Sequence, residues 1–262
     1  MKRLLPFFIL AFFIAPTAHA QFEMGFHYMF SAPAGTMGQN IQPVHSFAMS
    51  GDFRLKPFDH RIYLGIELTG GAYAHKTQQE TFMSPSDGSL TTTDVDFTSS
   101  VCNYDVMAGY DFAKCTAIIP YVTVKAGACL FSTDIIIEDP GDHCSCHPLD
   151  EKTLISDVAF SCGAGAGVKV DMNNVFRNWR TGKCYFDFSA NYLVGTSVDY
   201  VNVKYLDTND PGPNGYTRSV QSEFMDMNTQ EIHEHDIAHV YTSTISLFDF
   251  KIGIVKTFGG CR

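Results

Sequence analysis

A run of closely spaced histidine and cysteine residues is the densest set of metal-binding side chains in the sequence. It contains His143, Cys144, Cys146 and His147, interrupted only by a serine. Thiolate and imidazole groups are ligands that suit Zn²⁺ and copper in proteins. The spacing matches no standard zinc motif. A second interpretation therefore stays open, in which the cysteines pair with other cysteines and the histidines are solvated.

A second histidine group, formed by His233, His235 and His239, could complete such a site. The two groups could meet around one Zn²⁺ or copper ion if their loops leave the same side of the fold. His235 and His239 have the spacing of two metalloprotease ligands, but an aspartate follows His235 where that chemistry needs a glutamate as general base. Metal capture is therefore one possible function that the sequence indicates. Metalloprotease activity is not indicated, because the general base is missing.

No motif for a catalytic nucleophile accompanies these residues. Serine, histidine and acidic residues are abundant, yet none lies in a Gly-x-Ser-x-Gly sequence. We therefore expect no enzymatic activity, and no cofactor beyond the Zn²⁺ or copper considered above. An enzyme that modifies membrane lipid is kept as an alternative.

The acidic composition narrows the class of partner. The chain has 262 residues, with 18 Lys and Arg against 28 Asp and Glu, which gives a formal net charge of −10. A charge of this sign repels a phosphate backbone, so we predict no nucleic-acid partner.

The first twenty residues have the pattern of a secretory signal peptide. Lys2 and Arg3 precede an apolar run that ends in the small-residue cleavage pattern Ala18-His19-Ala20. The run is shorter than the roughly 20 residues that a spanning helix needs. We therefore predict a signal peptide over residues 1–20 and a single domain over residues 21–262.

Strict alternation of apolar and polar residues recurs eight times in the remaining chain. Such period-2 patterns are typical of β-strands with one apolar face. Long helical patterns are nearly absent, so the sequence predicts an all-β fold. The eight runs cover residues 22–30, 46–55, 62–75, 103–110, 122–130, 160–170, 186–200 and 240–254.

The polar faces of these strands carry small residues and ions of both signs. This combination suits the narrow inside of a closed barrel, where space is short and ions must pair. A soluble β-sandwich would also alternate, and is the rival fold. The predicted inward ions are Glu23, Asp52, Arg54, Glu67, Asp105, Lys125, Lys169, Asp187, Asp199, Asp249 and Lys251.

The same alternation predicts the direction of other side chains. Cys102 and Cys162 are predicted to face lipid. Those predicted to point toward the lumen or its rim are Cys129, His27, His45 and His75.

The connections between strands alternate in length and differ in charge. Residues 78–94, 138–153 and 206–237 are long and carry net charges of −3, −4 and −6, whereas residues 56–61 and 111–118 are short. Long outer loops and tight periplasmic turns are typical of outer-membrane barrels. The predicted fold is an eight-stranded antiparallel transmembrane β-barrel with long extracellular loops and short periplasmic turns.

The first hairpin and the third strand carry a family resemblance. Residues 33–37 (Pro-Ala-Gly-Thr-Met) lead into the hairpin that starts at residue 45, and residues 61–73 form a glycine-rich strand. This arrangement resembles small bacterial outer-membrane β-barrels of the OmpA/OmpX type, the generic outer-membrane β-barrel domain. The resemblance implies location in the bacterial outer membrane and contact with its lipid. It also implies a structural or interaction role, in which acidic loops are displayed to other envelope or surface proteins.

Overall fold

The described part of the chain folds into long antiparallel strands with two short helices. The computed structural model describes residues 21–55, 58, 60–83, 90–114, 116–137, 150–175, 183–203, 218–226 and 231–259. Its elements are β1 (Gln21–Pro33), α1 (Met37–Asn40), β2 (Val44–Arg54), β3 (Ile62–Met83), β4 (Leu90–Asp111), β5 (Ile118–Ile137), β6 (Asp150–Asp171), α2 (Met172–Val175), β7 (Lys183–Val201), β8 (Arg218–Asp226) and β9 (Glu231–Phe258).

Eight of these strands close into a barrel. Strands β1 to β7 pair in chain order, each antiparallel to the next, and β7 then pairs with β9. β9 also pairs with β1, from Phe258 opposite Phe22 to Leu247 opposite Pro33, which joins the two ends of the sheet. β8 pairs with the first part of β9 and is not one of the eight barrel strands. The predicted eight-stranded antiparallel barrel is confirmed.

The outer surface of the barrel carries a continuous apolar belt. It begins at the terminal rim, the end of the barrel where Gln21 and Phe258 lie. Its side chains are among the most exposed large hydrophobic residues, with Val106 at 65% and Phe47 at 59%. A spanning strand needs about 9–11 residues, and every barrel strand is at least this long. The belt includes Met24, Phe26, Phe47, Met49, Leu64, Ile66, Leu68, Tyr104, Val106, Val122, Val124, Phe188, Phe248, Phe250, Ile252 and Ile254.

Above the belt, away from the terminal rim, the polarity of the two faces inverts. In β4 the outward residue changes from Val106 in the belt to Asp96 above it. The inward residue changes from Asp105 to Phe97, which is 5% exposed. Side-chain direction keeps its period of two throughout, so only the chemistry of each face changes. The strands thus pass from a lipid-facing barrel into an upper part that has a polar wall and an apolar interior.

The apolar interior of this upper part is a hydrophobic core. α1 lies between β1 and β2 and contributes the buried Met37 to it. Gly38 allows this packing, because a Cβ there would lie 2.6 Å from the carbonyl oxygen of Pro33. The core includes Met37, Ile41, Val44, Tyr73, Val95, Phe97, Phe131, Leu193, Val198, Tyr200, Val240, Tyr241 and Ile245.

Three predicted loops are partly strand. β3 continues to Met83 and β4 starts at Leu90, within the predicted loop 78–94. β6 starts at Asp150, within the predicted loop 138–153. β8 and the start of β9 lie within the predicted loop 206–237. The strand pairing of the upper part therefore extends well beyond the belt.

A bulge in β7 reverses which residues face inward. The register between β7 and β9 shifts between Val194 and Ser197. Beyond the shift, Val198 and Tyr200 are buried in the core, whereas Asp199 faces outward and accepts a hydrogen bond from Thr242. The prediction that Asp199 is an inward ion was wrong, because one irregular step moves every later side chain to the other face.

The hydroxyl group of Tyr200 ties the core to α1. It accepts a hydrogen bond from the side-chain amide of Asn40 at 3.1 Å and bonds the hydroxyl of Ser243 at the same distance. We expect Tyr200→Phe to lower the free energy of unfolding by about 1–2 kcal/mol, because the buried amide then loses an acceptor. Urea unfolding of the lipid-embedded protein, followed by circular dichroism, measures this. Tyr104→Phe on the outer face is the matched control and should leave the midpoint unchanged.

Candidate functional site

A lower ion cluster lies inside the barrel near the terminal rim. Arg54 Nη2 donates to Glu23 Oε2 at 2.9 Å and lies 2.5 Å from Asp111 Oδ2. Lys169 Nζ donates to the same Glu23 oxygen at 2.8 Å. All four residues are at most 4% exposed. Their arrangement brings two cations and two carboxylates together, which offsets the cost of burying each charge.

An upper ion cluster lies next to it along the barrel axis. Glu67 accepts from Lys251 at 2.5 Å and from Lys125 at 3.2 Å, one on each carboxylate oxygen. Lys125 also donates to Asp249 at 3.2 Å, and Ser31 donates to the other oxygen of Asp249 at 2.6 Å. Glu67 has no exposed surface. The cluster joins strands β1, β3, β5 and β9 across the lumen.

A third polar contact links three strands between these clusters. His27 Nε2 lies 2.9 Å from Asp187 Oδ2, and Tyr121 donates to Asp187 Oδ1 at 2.8 Å. His27 is 2% exposed, so the prediction that it points into the lumen is confirmed. The three residues come from β1, β7 and β5, and the contact therefore braces the barrel across its width.

Alternation located most of these ions. Ten of the eleven predicted inward ions are buried, with Asp199 as the exception described above. Asp111 was missed because it was assigned to a connection, although it has the same parity as Asp105 on β4. Extending that parity to the last residue of the strand would have found it.

The described side chains fill the lumen from end to end. Ion clusters occupy the part within the belt, and the hydrophobic core occupies the part above it. An eight-stranded barrel is narrow enough to be filled by its own side chains. No wide aqueous path runs through the part of the barrel that the structure describes.

Among the described side chains, five carboxylates face outward on the strands above the belt, and we call this surface the acidic wall. It comprises Asp94, Asp96, Asp134, Glu151 and Asp199, all half-buried or exposed. Neighbouring threonine hydroxyls hold three of these carboxylates at 2.5–2.6 Å: those of Asp96, Asp134 and Asp199. Lys76 and Lys152 also lie at this level, but each has the opposite strand parity to the neighbouring threonine that bonds a wall carboxylate. The wall therefore presents negative charge in fixed positions.

Of the seven predicted metal ligands, only His239 has a described side chain. His143, Cys144, Cys146 and His147 lie outside the described residues. The backbones of His233 and His235 lie in β9, but their side chains are outside the described part. His239 is 3% exposed on β9. Among the described residues no group of three or more His, Cys, Asp or Glu side chains could hold a metal, and the Zn²⁺ or copper site stays a prediction.

The burial of the cysteine and histidine side chains shows whether their predicted directions were right. Cys129 is buried and Cys162 is exposed, as the alternation predicted. The prediction for His45 and His75 was wrong, because both are exposed on the outer surface. His45 has the parity of the neighbouring belt residue Phe47, and His75 follows a register shift at Ala72.

No helix in the described part of the chain is long and apolar enough to cross a membrane.

The comparisons with known proteins found similar structures but no similar sequence. Neither the family models nor the curated proteins gave a match. Neisserial surface protein A is 12% identical, with 92% of this chain and 98% of that one covered and a TM-score of 0.38. Ail, the attachment invasion locus protein of Yersinia pestis, solved with the heparin analogue sucrose octasulfate, is 9% identical with coverages of 91% and 97% and a TM-score of 0.36. The outer membrane protein AlkL, solved in DMPC bilayers, is 10% identical with coverages of 93% and 92% and a TM-score of 0.37.

The strand pairing and the belt of this chain settle where it resides. A closed barrel leaves no unpaired strand edge within the belt, which a lipid environment requires. Within the belt its outer surface is apolar and its interior is ionic. These are the properties of bacterial outer-membrane barrels. The chain is a bacterial outer-membrane β-barrel protein that contacts membrane lipid through the belt.

Proposed function

We propose that this protein has an interaction role, in which the acidic wall binds a cationic surface of another envelope or surface protein. The observation that carries the proposal is the set of outward carboxylates on paired strands, held by threonine hydroxyls. A rigid array of one charge sign steers and orients a partner of the opposite sign. A flexible loop would lose more conformational freedom on binding.

The filled lumen supports an interaction role over transport. The hydrophobic core closes the upper part of the barrel, and two ion clusters close the lower part. Transport through this lumen would require the buried ion pairs to separate, and breaking such pairs is costly. The function is therefore assigned to the outer surface of the upper part.

The lengths of the connections favour an orientation with the acidic wall outside the cell. Barrels of this kind have tight turns on the periplasmic side and extended structure on the outer side. In this chain the short connections follow β2 and β4 at the terminal rim, whereas β3 to β6 extend beyond the belt at the other end. The acidic segments 138–153 and 206–237 follow strands β5 and β7, which end at this same end of the barrel, and their net charges of −4 and −6 would add to the negative charge.

The test measures binding of an oligolysine peptide to the detergent-solubilised barrel. The variant Asp96→Asn, Asp134→Asn and Asp199→Asn removes three charges while keeping an oxygen acceptor for each threonine. At about 0.5 kcal/mol per exposed charge, affinity should fall about tenfold, and the difference should shrink at high salt. Asp171→Asn at the terminal rim is the matched control. Equal affinity of the triple variant and the unmodified protein would contradict the proposal.

Two alternative functions predict other results. Release of fatty acid from phospholipid by the purified barrel would favour a lipid-modifying enzyme. Zn²⁺ or copper binding that is lost when Cys144 and Cys146 are changed to serine would favour metal capture.

A further inference from the structure

We propose that the partner of the acidic wall is a cationic protein with an acyl anchor, and that its acyl chain lies in a groove on the outside of the barrel. We call this the β5 groove, and its floor is formed by Ala126 on β5 and by Cys162 and Ala164 on β6. The inference rests on the proposed function, because it names the chemistry of the partner that the acidic wall binds. The groove lies within the belt and is separate from the filled lumen.

The β5 groove is deep because neighbouring strands contribute small side chains to its floor. Ala126 lies directly opposite Cys162, and Ala164 is the next outward residue of β6. All three are exposed. The groove has a volume of about 590 Å³, which is within the range of ligand-binding pockets, about 300–1,000 Å³. An alkyl chain can therefore lie on this floor.

Large apolar side chains border the groove on both sides. Val106 on β4 is 65% exposed, and Tyr192 and Val194 on β7 are each 42% exposed, so all three project from the barrel. Tyr192 is held toward β9, because its ring packs on Phe248 with a centroid distance of 4.5 Å and its hydroxyl bonds Ser246 at 3.1 Å. A chain on the floor contacts protein below it and on both sides, which gives it more dispersion contacts than a convex part of the belt would.

The groove continues along β5 toward the acidic wall. Ala128 is the next outward residue of β5 after Ala126, and the residues opposite it are Tyr104 on β4 and Phe160 on β6. These two aromatic side chains are 54% and 57% exposed, so they stand on either side of the small alanine. Asp134 of the acidic wall follows Ala126 on the same strand, about 26 Å away at the usual rise of a strand residue. One strand therefore connects the groove to a wall carboxylate.

The chemistry of the two surfaces selects the occupant. The belt contacts membrane hydrocarbon, so the groove within it is occupied by an apolar group. Among the described lining residues only Lys125 carries a charge, and its ammonium group points into the lumen, where it donates to Glu67 at 3.2 Å. At the upper end, Asp96 and Asp134 repel an anionic lipid headgroup and attract a cation.

Shape separates an acyl chain from the wall of another barrel. A second barrel is convex and would contact the bordering side chains without reaching the floor, whereas a single chain can follow the groove. A cationic protein that carries an acyl chain satisfies both surfaces. Joining the two contacts in one molecule also makes the second contact intramolecular, which raises the overall affinity without any further contact.

The experiment compares two fluorescent peptides that bind the barrel in phosphatidylcholine nanodiscs. One is an oligolysine peptide, and the other carries a palmitoyl chain on a flexible linker of about eight residues, which can span about 26 Å. Ala126→Leu combined with Ala164→Phe fills the floor and leaves every wall carboxylate in place. The affinity gained through the palmitoyl chain should be larger for the unmodified barrel than for this filled variant, as measured by fluorescence anisotropy. If the filled variant does not fold, Cys162→Phe fills the floor from β6 alone.

Ile252→Phe adds bulk to the belt on β9, away from the groove, and is the matched control. It should keep the full gain from the palmitoyl chain, including the part that comes from general insertion into the bilayer. An equal gain for the unmodified barrel and the filled variant would place the chain in the bulk bilayer and overturn this inference, while the proposed function would stand. Failure of the oligolysine peptide to bind the unmodified barrel would overturn both.

Discussion

Replacing Glu67 with glutamine should lower the free energy of unfolding of the barrel by about 3–5 kcal/mol. Each carboxylate oxygen of Glu67 accepts from a different lysine, Lys251 at 2.5 Å and Lys125 at 3.2 Å. Glutamine keeps the size of the side chain but leaves two buried ammonium groups with less compensating charge. Removing one partner of a buried ion pair costs far more than the pair contributes, because the other charge stays buried. Urea unfolding in lipid vesicles measures the loss.

Two further variants test whether the burial of Glu67 causes this loss of stability. Glu151→Gln makes the same chemical change at an exposed position of β6 and should stay within about 0.5 kcal/mol of the unmodified protein. Combining Glu67→Gln with Lys251→Met should cost less than the sum of the two single changes, since the pair is removed together. A similar loss from Glu67→Gln and Glu151→Gln would show that water reaches the upper ion cluster and screens it.

The members of the ion clusters could be predicted from sequence, but their partners could not. Period-2 alternation places Glu67, Lys125 and Lys251 on inward faces, because side-chain direction along a regular strand follows only from parity. The contact between Glu67 and Lys251 joins residues 184 positions apart. It depends on the stagger of eight strands around the barrel, which no local pattern records.

The limits of the strands were harder to predict because the apolar face changes sides. Below the transition, Tyr104 and Val106 face lipid. Above it, Phe97 faces the core and Asp96 faces water. A pattern search that expects one apolar face ends the strand where the phase changes. At that point the surroundings of the two faces of the strand change, whereas the strand itself continues.

Of the five carboxylates of the acidic wall, Asp94 and Glu151 were counted in predicted acidic loops and Asp199 was assigned to the lumen, whereas Asp96 and Asp134 were not predicted. The acidic excess of loop 78–94 was recognised, yet its last residue, Asp94, lies on β4. Asp199 was assigned to the lumen because the shift between Val194 and Ser197 has no sequence signal of its own. Alternation resumes after a bulge with opposite parity, so a continuous pattern on both sides conceals the change.

Replacing Ile252 with arginine should destabilise the folded protein by about 2–4 kcal/mol. Ile252 is 49% exposed on the outer face of β9, with the belt residues Phe250 and Ile254 on either side of it on the same face. A guanidinium group there must enter the hydrocarbon layer or draw water into it. The cost is greatest near the middle of the bilayer and falls toward its edges. Reversible folding into phospholipid vesicles, monitored by circular dichroism, gives the change in free energy.

Thr244→Arg introduces the same charged side chain above the belt and is the comparison for Ile252→Arg. Thr244 lies on the same strand and the same face, eight residues closer to the upper part, and is exposed. The inversion of polarity puts this position in water, so the substitution should cost less than about 0.5 kcal/mol. Equal costs at Ile252 and Thr244 would mean that the bilayer edge does not follow the change in polarity. A large difference locates that edge between the two residues, and with it the height at which the acidic wall begins.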